Sequence, residues 1–165
     1  SNSGELLVRR HEDWYQLDFP SRPPRPTELP AVILEGIGVR PKEVLQARDY
    51  VLLYDTQEEI ESIQPNIALL NTINIDPGGI IVTAPGEEVD FVSRFFTPQA
   101  SIFEDPVTGS AHCSLIPFWS KRLNKNKLMA HQISKRGGVL KVEDKGERVL
   151  MSGQAVTYLQ ATITI

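Results

Sequence analysis

The pattern of apolar and polar positions predicts a chain built mainly from short β-strands. Runs in which apolar and β-branched residues alternate, bounded by Gly, Pro or charged turns, are typical of strands. Residues 11–13 supply a polar turn, so the first two runs predict a hairpin. We predict strands at the segments GELLVRR, WYQLDF, EVLQA, YVLLYD, GIIVTAP, DFVSRFFT, KLMAHQIS, GGVLKVED, RVLMSGQA and VTYLQATITI.

Capping residues predict two short helices between the early strands. Thr27 is placed to cap a helix over Glu28–Glu35, which the following glycines would end. Asp55 or Thr56 is placed to cap a second helix over the segment TQEEIESI.

A third helix is predicted from Gly109 to Leu123, and its apolar residues cover nearly every face. A helix that is apolar all round must be buried all round. Pro117 inside it would cost about 3 kcal/mol in an isolated helix and would produce a kink, so tertiary packing must hold it. The predicted fold class is therefore α+β, with a curved, mostly antiparallel sheet wrapped around a long central helix.

Length and charge limit the possible classes of protein. At 165 residues with 41% hydrophobic content, the chain predicts a single domain over residues 1–165. A net charge of −4 gives no footprint for nucleic acid or an anionic membrane, and no apolar run approaches the ~20 residues that span a bilayer. The single cysteine, Cys113, excludes an internal disulfide and fits a reducing compartment, so we predict a cytoplasmic protein.

The start of the third helix carries the candidate chemistry. Pro106 disfavours a helical conformation at Asp105, and Thr108, Gly109 and Ser110 open the first turn. Unpaired backbone N–H groups there, together with the helix dipole, favour binding of a carboxylate or phosphate beside the Asp105 carboxylate. The alternative interpretation is structural: Asp105 or Thr108 is an N-cap, with Pro at the first helical position. Local physics leaves both interpretations open.

The cysteine and the histidines are better explained by structural roles than by chemistry. Cys113 and His112 lie inside the helix, where a buried thiol and a hydrogen-bonded core histidine are the simpler interpretations. The three histidines show no metal-ligand spacing, so no metal and no cofactor are predicted. Arg94, Gln132 and the turn at Arg136 are candidates either for the site or for strand pairing.

The segments SRFFTPQASIFEDPVTGSAHC, QISKRGG and VLMSGQAVTYLQATITI closely resemble the C-terminal half of the PhzF-like isomerase family of phenazine biosynthesis. EDPVTGSAH is the most specific of these signatures, and the predicted N-terminal hairpin resembles the strand pair that opens that half. The resemblance implies a fold like diaminopimelate epimerase, in which two pseudo-symmetric halves, each a curved sheet around a helix, enclose the active site between the two helix N-termini.

By this resemblance Asp105 would handle or position a proton, and Gly109, Ser110 and Thr108 would bind substrate at the helix N-terminus. The family's first half carries a Gly-Asn-Pro-Ala motif, a segment with the principal catalytic Glu, and a Gly-His helix mouth. None of these motifs is present in the sequence, and Glu104, which precedes Asp105, is expected to point away from the site. We therefore interpret residues 1–165 as one C-terminal domain without the catalytic Glu.

Three functions remain open at this stage. The first is a domain of a cofactor-independent isomerase or epimerase that moves a proton at carbon in a small carboxylate-bearing substrate and needs its missing half. The second is a ligand-binding module that uses only the anion site at Gly109 and Ser110. The third is an interaction domain, because loss of the first half would expose apolar surface that forms a homodimer or pairs with that half.

Overall fold

A computed structural model describes residues 6–75 and 78–163, and in these ranges ten strands form one sheet. The strands are β1 Leu7–His11, β2 Trp14–Pro20, β3 Arg25–Pro26, β4 Glu43–Gln46, β5 Tyr50–Leu53, β6 Ile80–Pro85, β7 Phe91–Phe96, β8 Lys127–Gln132, β9 Gly138–Asp144 and β10 Arg148–Gly153. The helices are α1 Ala31–Ile37, α2 Gln57–Ser62, α3 Ile67–Leu70 and α4 Gly109–Leu123.

The sheet is mixed, with the spatial order β1-β2-β10-β9-β8-β7-β6-β5-β4-β3. Only β5 with β6 and β7 with β8 pair in parallel, and the other neighbours are antiparallel. The α+β class and the mostly antiparallel pairing are thus confirmed. Strands that precede α4 in the chain and strands that follow it belong to this one sheet.

The two faces of the sheet bury different helices. Helix α4, the longest helix in the described ranges, packs with apolar side chains from β4 to β10 in one core cluster. Helices α1, α2 and α3 pack on the opposite face of the middle strands in a second cluster. Strands β5, β6 and β7 contribute to both clusters and are therefore buried on both faces, as is usual for strands with parallel neighbours.

Pro117 is accommodated by a backbone contact from outside helix α4. Proline has no N–H, so the carbonyl of Cys113, four residues earlier, loses its normal helical donor. The backbone N–H of Arg22 donates to this carbonyl at 2.8 Å. Buried carbonyls need a partner, so Pro117 also fixes where the chain after β2 docks on the helix.

Trp119 joins α4 to the middle of the sheet. Its ring stacks on Phe91 at a centroid distance of 5.6 Å. Its Nε1 donates to the Thr83 hydroxyl at 3.0 Å, and that hydroxyl donates to the Val92 carbonyl at 2.7 Å. The largest buried side chain of the helix is therefore fully hydrogen-bonded.

Two predicted elements were wrong. The first helix begins at Ala31, not Glu28; Pro30 precedes it, and Thr27 makes no cap. The segment VTYLQATITI was predicted as a strand, but residues 156–163 have no strand partner in the described ranges. The last two residues of that segment, residues 4–5 of the predicted first strand and residues 76–77 lie outside those ranges.

The other short elements follow their sequence signals closely. Thr56 caps α2 and forms a capping box with Glu59, as the pattern after Asp55 allowed. Within the described ranges, no helix is long and apolar enough to cross a membrane.

Candidate active site

Helix α4 begins with backbone donors that no group in residues 6–75 and 78–163 satisfies. Thr108 is the N-cap residue and has an extended backbone, but its side chain makes no capping hydrogen bond. Within the described residues, the N–H groups of Gly109, Ser110 and Ala111 have no acceptor. The first intrahelical bond runs from His112 N–H to the Thr108 carbonyl at 3.4 Å. Three unpaired donors thus lie at the positive end of the helix dipole, and those of the half-buried Gly109 and Ser110 can meet an anion, whereas Ala111 is buried.

Asp105 lies beside this helix N-terminus as an anchored carboxylate. Its backbone N–H donates to the Phe95 carbonyl at 3.0 Å, which fixes the loop to the end of β7. The Thr108 hydroxyl donates to Asp105 Oδ2 at 2.7 Å. Thr108 thus holds the N-cap position, as the structural interpretation allowed, but neither side chain caps the helix and Pro106 is not at its first position.

The Gln132 side chain holds the loop before α4 by hydrogen bonds. It lies at the end of β8, is 0% exposed, and contacts both Asp105 and Thr108. Its Nε2 donates to the Asp105 carbonyl at 2.6 Å and to Thr108 Oγ1 at 3.1 Å. Its Oε1 accepts from Thr108 N–H at 2.8 Å. The sequence analysis left Gln132 as a candidate either for the site or for strand pairing. Its side chain contacts the motif directly.

Arg48 brings positive charge to the same helix end. Its Nη2 donates to Ser110 Oγ at 2.9 Å and to Asp49 Oδ1 at 3.0 Å. The Arg48 side chain is 29% exposed, whereas Asp49 is 1% exposed. Burial raises the pKa of the Asp49 carboxyl, against the opposing effect of the Arg48 guanidinium. Asp49 therefore holds the guanidinium in place from the buried side.

Arg48 and Asp49 were missed by the sequence analysis. They lie in the turn between β4 and β5, 62 residues before Ser110. An Arg-Asp pair in a turn has no periodic or motif signal. Only the fold brings this turn to the start of α4.

Gly109 is not required by packing. A Cβ at this position would lie 3.5 Å from Phe19 and 3.6 Å from Met151, which are ordinary contact distances. Gly109 and Ser110 are half-buried, and Thr108 is buried. A methyl group would therefore fit at Gly109, in contact with Phe19 and Met151.

Glu104 points away from this site, as expected. It forms a two-point ion pair with Arg94, at 2.7 Å to Nε and 3.1 Å to Nη2. Arg94 also donates to the carbonyls of Ile60 and Ile63. This cluster ties β7 to the end of α2, so Arg94 has a structural role.

His112 and Cys113 belong to the core. Burial raises the pKa of the Cys113 thiol, which keeps it protonated and unreactive. His112 is 0% exposed, and its Nδ1 donates to the Thr108 carbonyl at 2.7 Å. Burial lowers the pKa of His112. Within the described ranges, no group of three or more His, Cys, Asp or Glu side chains is arranged to hold a metal ion.

The buried imidazole predicts a specific loss of stability at acidic pH. In the unfolded chain a histidine binds a proton near pH 6.5, whereas burial lowers the pKa of folded His112, so it stays neutral to a lower pH. The unfolded state then binds more protons, so the free energy of unfolding falls by up to about 1.4 kcal/mol per pH unit below about pH 6.5. His112→Asn should remove this component of the pH dependence. Denaturant unfolding at pH 8.0 and pH 5.5 measures it, and an unchanged pH dependence in the variant would contradict the assignment.

Comparison with known proteins places this site in a family. The family model described as phenazine biosynthesis-like protein matches residues 42–161, which include the whole Asp105–Ser110 motif, Gln132 and Arg48. An uncharacterized isomerase of Halalkalibacterium halodurans is 42% identical over 100% of this chain and 63% of its own length. A phenazine biosynthesis-like domain-containing protein of Mus musculus is 37% identical over 98% of this chain and 63% of its own length.

Solved structures agree with this assignment. A phenazine biosynthesis PhzC/PhzF protein from Clostridium difficile has a TM-score of 0.87 and 43% identity, covering 99% of this chain and 62% of that chain. A PhzF family protein from Enterococcus faecalis also has a TM-score of 0.87, with 41% identity over 93% of this chain and 59% of that chain. The chain thus spans less than two thirds of the length of these relatives. It belongs to the phenazine biosynthesis-like, or PhzF, protein family.

Proposed function

We propose that this chain supplies one side of the active site of an isomerase, which moves a proton at carbon in a small carboxylate-bearing substrate. The observation that carries the proposal is the position of Asp105 beside three unpaired amides at the start of α4. The names of relatives from Halalkalibacterium halodurans and Pseudomonas aeruginosa, which are uncharacterized isomerases, support this class of reaction.

The amides would bind the substrate's carboxylate. N–H groups at a helix N-terminus are suited to a carboxylate, and the Ser110 hydroxyl hydrogen is free to donate because Arg48 occupies its oxygen as a donor. Within the described residues Arg48 Nη1 has no acceptor, so it can add a charge-assisted bond to the same anion. Binding there would stabilise the negative charge that develops when the adjacent carbon loses its proton.

Asp105 would act as one of two proton-transfer groups. Moving a proton at carbon needs one group that removes it and one that returns a proton elsewhere on the substrate, and neither step needs an oxidant or a reductant. We propose a cofactor-independent, cytoplasmic enzyme in which Asp105 is one of these groups. The other is the principal glutamate of a second, similar domain, which faces α4 in a diaminopimelate-epimerase-like arrangement.

Substitution of Asp105 tests this role. The chain alone should not exchange a substrate C–H proton, whereas a longer polypeptide of the relatives' full length that contains these residues should do so. In that polypeptide Asp105→Asn should lower the exchange rate by ~100-fold to 10,000-fold, because an amide cannot accept and return a proton. Exchange into small carboxylates with an acidic C–H is followed in D2O by proton NMR.

Glu104→Gln is the matched control, because it removes the neighbouring carboxylate that Arg94 binds. It should lower stability and leave exchange within a few-fold of wild type. Asp105→Asn should change the free energy of unfolding by only about 1 kcal/mol, since the amide oxygen still accepts from Thr108. Exchange by the isolated chain, or its persistence in Asp105→Asn, would overturn the proposal.

A second proposal concerns association, and it rests on the C-terminal segment. Residues 154–163 leave the end of β10 without a strand partner in the described ranges. Their apolar side chains are open to solvent, with Val156 92%, Tyr158 99%, Leu159 76% and Ile163 85% exposed. Exposed apolar side chains on a segment without a strand partner favour association with another surface. We propose that this segment mediates self-association of the chain when the second domain is absent.

Light scattering at micromolar concentration tests the association. The average mass should rise with concentration above the 18.5 kDa of one chain. Leu159→Ser combined with Ile163→Ser removes two of the exposed apolar side chains and should shift the chain toward the monomer, because the driving force is apolar burial. Gln160→Ser combined with Thr162→Ser changes two polar side chains of the same segment and should not. A wild-type chain that stays monomeric at every concentration would contradict the proposal.

A further inference from the structure

We propose that Gln132 is a positioning residue that directs the Thr108 hydroxyl hydrogen to Asp105 Oδ2, and thereby leaves Asp105 Oδ1 as the oxygen that exchanges a proton with substrate. The inference deepens the proposed function and rests on it for the role of Asp105. It is carried by four hydrogen bonds that link these three residues.

The direction of each bond follows from the chemistry of the groups. The Thr108 backbone N–H can only donate, so the Gln132 atom that faces it at 2.8 Å must be the carbonyl oxygen Oε1. The Asp105 carbonyl can only accept, so the atom that faces it at 2.6 Å must be the amide nitrogen Nε2. The orientation of the Gln132 carboxamide is therefore fixed from both ends.

This orientation determines what the Thr108 hydroxyl does. The second hydrogen of Gln132 Nε2 points to Thr108 Oγ1 at 3.1 Å, so the hydroxyl oxygen accepts there. The single hydroxyl hydrogen is then left for Asp105 Oδ2, which lies 2.7 Å away. Reversal of the carboxamide would place two donors against each other at Thr108, so the network has only one stable polarity.

The network holds one carboxylate oxygen and frees the other. Oδ2 is an acceptor in this arrangement, and Oδ1 has no hydrogen-bond partner among the described residues. Oδ1 is therefore the oxygen whose lone pairs are all free to exchange a proton with a substrate. A positioned acid–base group needs such a fixed geometry, because small misplacements of a reacting group slow proton transfer strongly.

Gln132 is itself held on a rigid support. It ends strand β8 and pairs with Ser93 of β7 on one side and with Gly138 of β9 on the other. The next residue, Ile133, donates its N–H to the Ser93 carbonyl at 2.8 Å. The positioning group thus comes from the interior of the sheet, whereas the residues it positions lie on a loop.

The χ1 rotamer of Asp105, measured by three-bond couplings to its side-chain carbon in the labelled chain, tests the network. Wild type should show one dominant rotamer, because Oδ2 is held. Thr108→Val removes the hydroxyl at nearly constant size, and Gln132→Met removes the group that orients it. Both should give an average over several rotamers. Thr108→Ser keeps the hydroxyl and should retain the single rotamer.

Ser134→Ala is the matched control for general loosening of the loop. The Ser134 hydroxyl donates to the Pro106 carbonyl at 2.7 Å, so this variant removes a contact to the same loop without touching the network. It should keep the single Asp105 rotamer. A single rotamer in Thr108→Val, or rotamer averaging in Ser134→Ala equal to that in Gln132→Met, would overturn the inference.

A catalytic measurement separates this inference from the proposed function. In a full-length polypeptide that exchanges a substrate proton, Gln132→Met should lower the exchange rate by about 100-fold with little change in KM. If wild type exchanges and Gln132→Met matches it, the positioning role fails while the proposed function stands. If no full-length polypeptide exchanges any substrate, the proposed function fails, and with it the assignment of Oδ1.

Discussion

Burial of the first three turns of helix α4, up to Ser120, is the constraint on which the rest of this structure depends. Residues 111–116, Trp119 and Ser120 are buried whereas the last turn is exposed, and strands from β4 to β10 contribute side chains to one cluster around the buried part. The polar groups of the helix must then be satisfied inside the fold. The Arg22 N–H donates to the Cys113 carbonyl, which Pro117 leaves without a helical donor. Trp119 Nε1 donates to the Thr83 hydroxyl. His112 Nε2 and Ser114 Oγ stay buried without a partner among the described residues, whereas the unpaired backbone donors of Gly109 and Ser110 lie at the half-buried helix N-terminus, where a ligand can reach them.

The chemistry of the proposed site follows from that position. A buried helix directs its dipole at a fixed point, and the surrounding strand ends determine which side chains meet there. Gln132 comes from β8, Asp105 follows β7, and Arg48 lies in the turn before β5. Gln132 is held by strand pairing, Asp105 by the buried Gln132, and Arg48 by the buried Asp49. The site is therefore rigid on the protein side, as proton transfer to a bound substrate requires.

The sequence predicted this fold well where local patterns decide it. Alternation identified nine strands, and an all-round apolar run identified α4 within its observed bounds. The first helix was misplaced because Thr27 resembles a cap, whereas the short strand β3 uses Arg25–Pro26 and delays the helix to Ala31. The segment VTYLQATITI was predicted as a strand because its apolar and polar residues alternate. A strand also needs a neighbouring strand, and the described ranges contain none for residues 156–163.

The site was predictable only in part. The Asp-Pro-Val-Thr-Gly-Ser motif is local, so Asp105, Thr108, Gly109 and Ser110 were found together. Gln132 was found only as a candidate, since its contacts to Asp105 and Thr108 span 24 to 27 residues. Arg48 had no signal at all, because its role depends on the packing of a turn against a distant helix. A short motif can be recognised in a sequence, whereas contacts between distant segments depend on the fold.

An amide NMR titration of the chain with benzoate, with benzamide as the neutral match, tests the central claim most directly. The account predicts that benzoate shifts the backbone amide signals of Gly109, Ser110 and Ala111 and that benzamide does not, because these donors and Arg48 bind a carboxylate. Equal shifts with both compounds, or benzoate shifts only at residues distant from the start of α4, would contradict the claim that the helix N-terminus is the substrate-binding site.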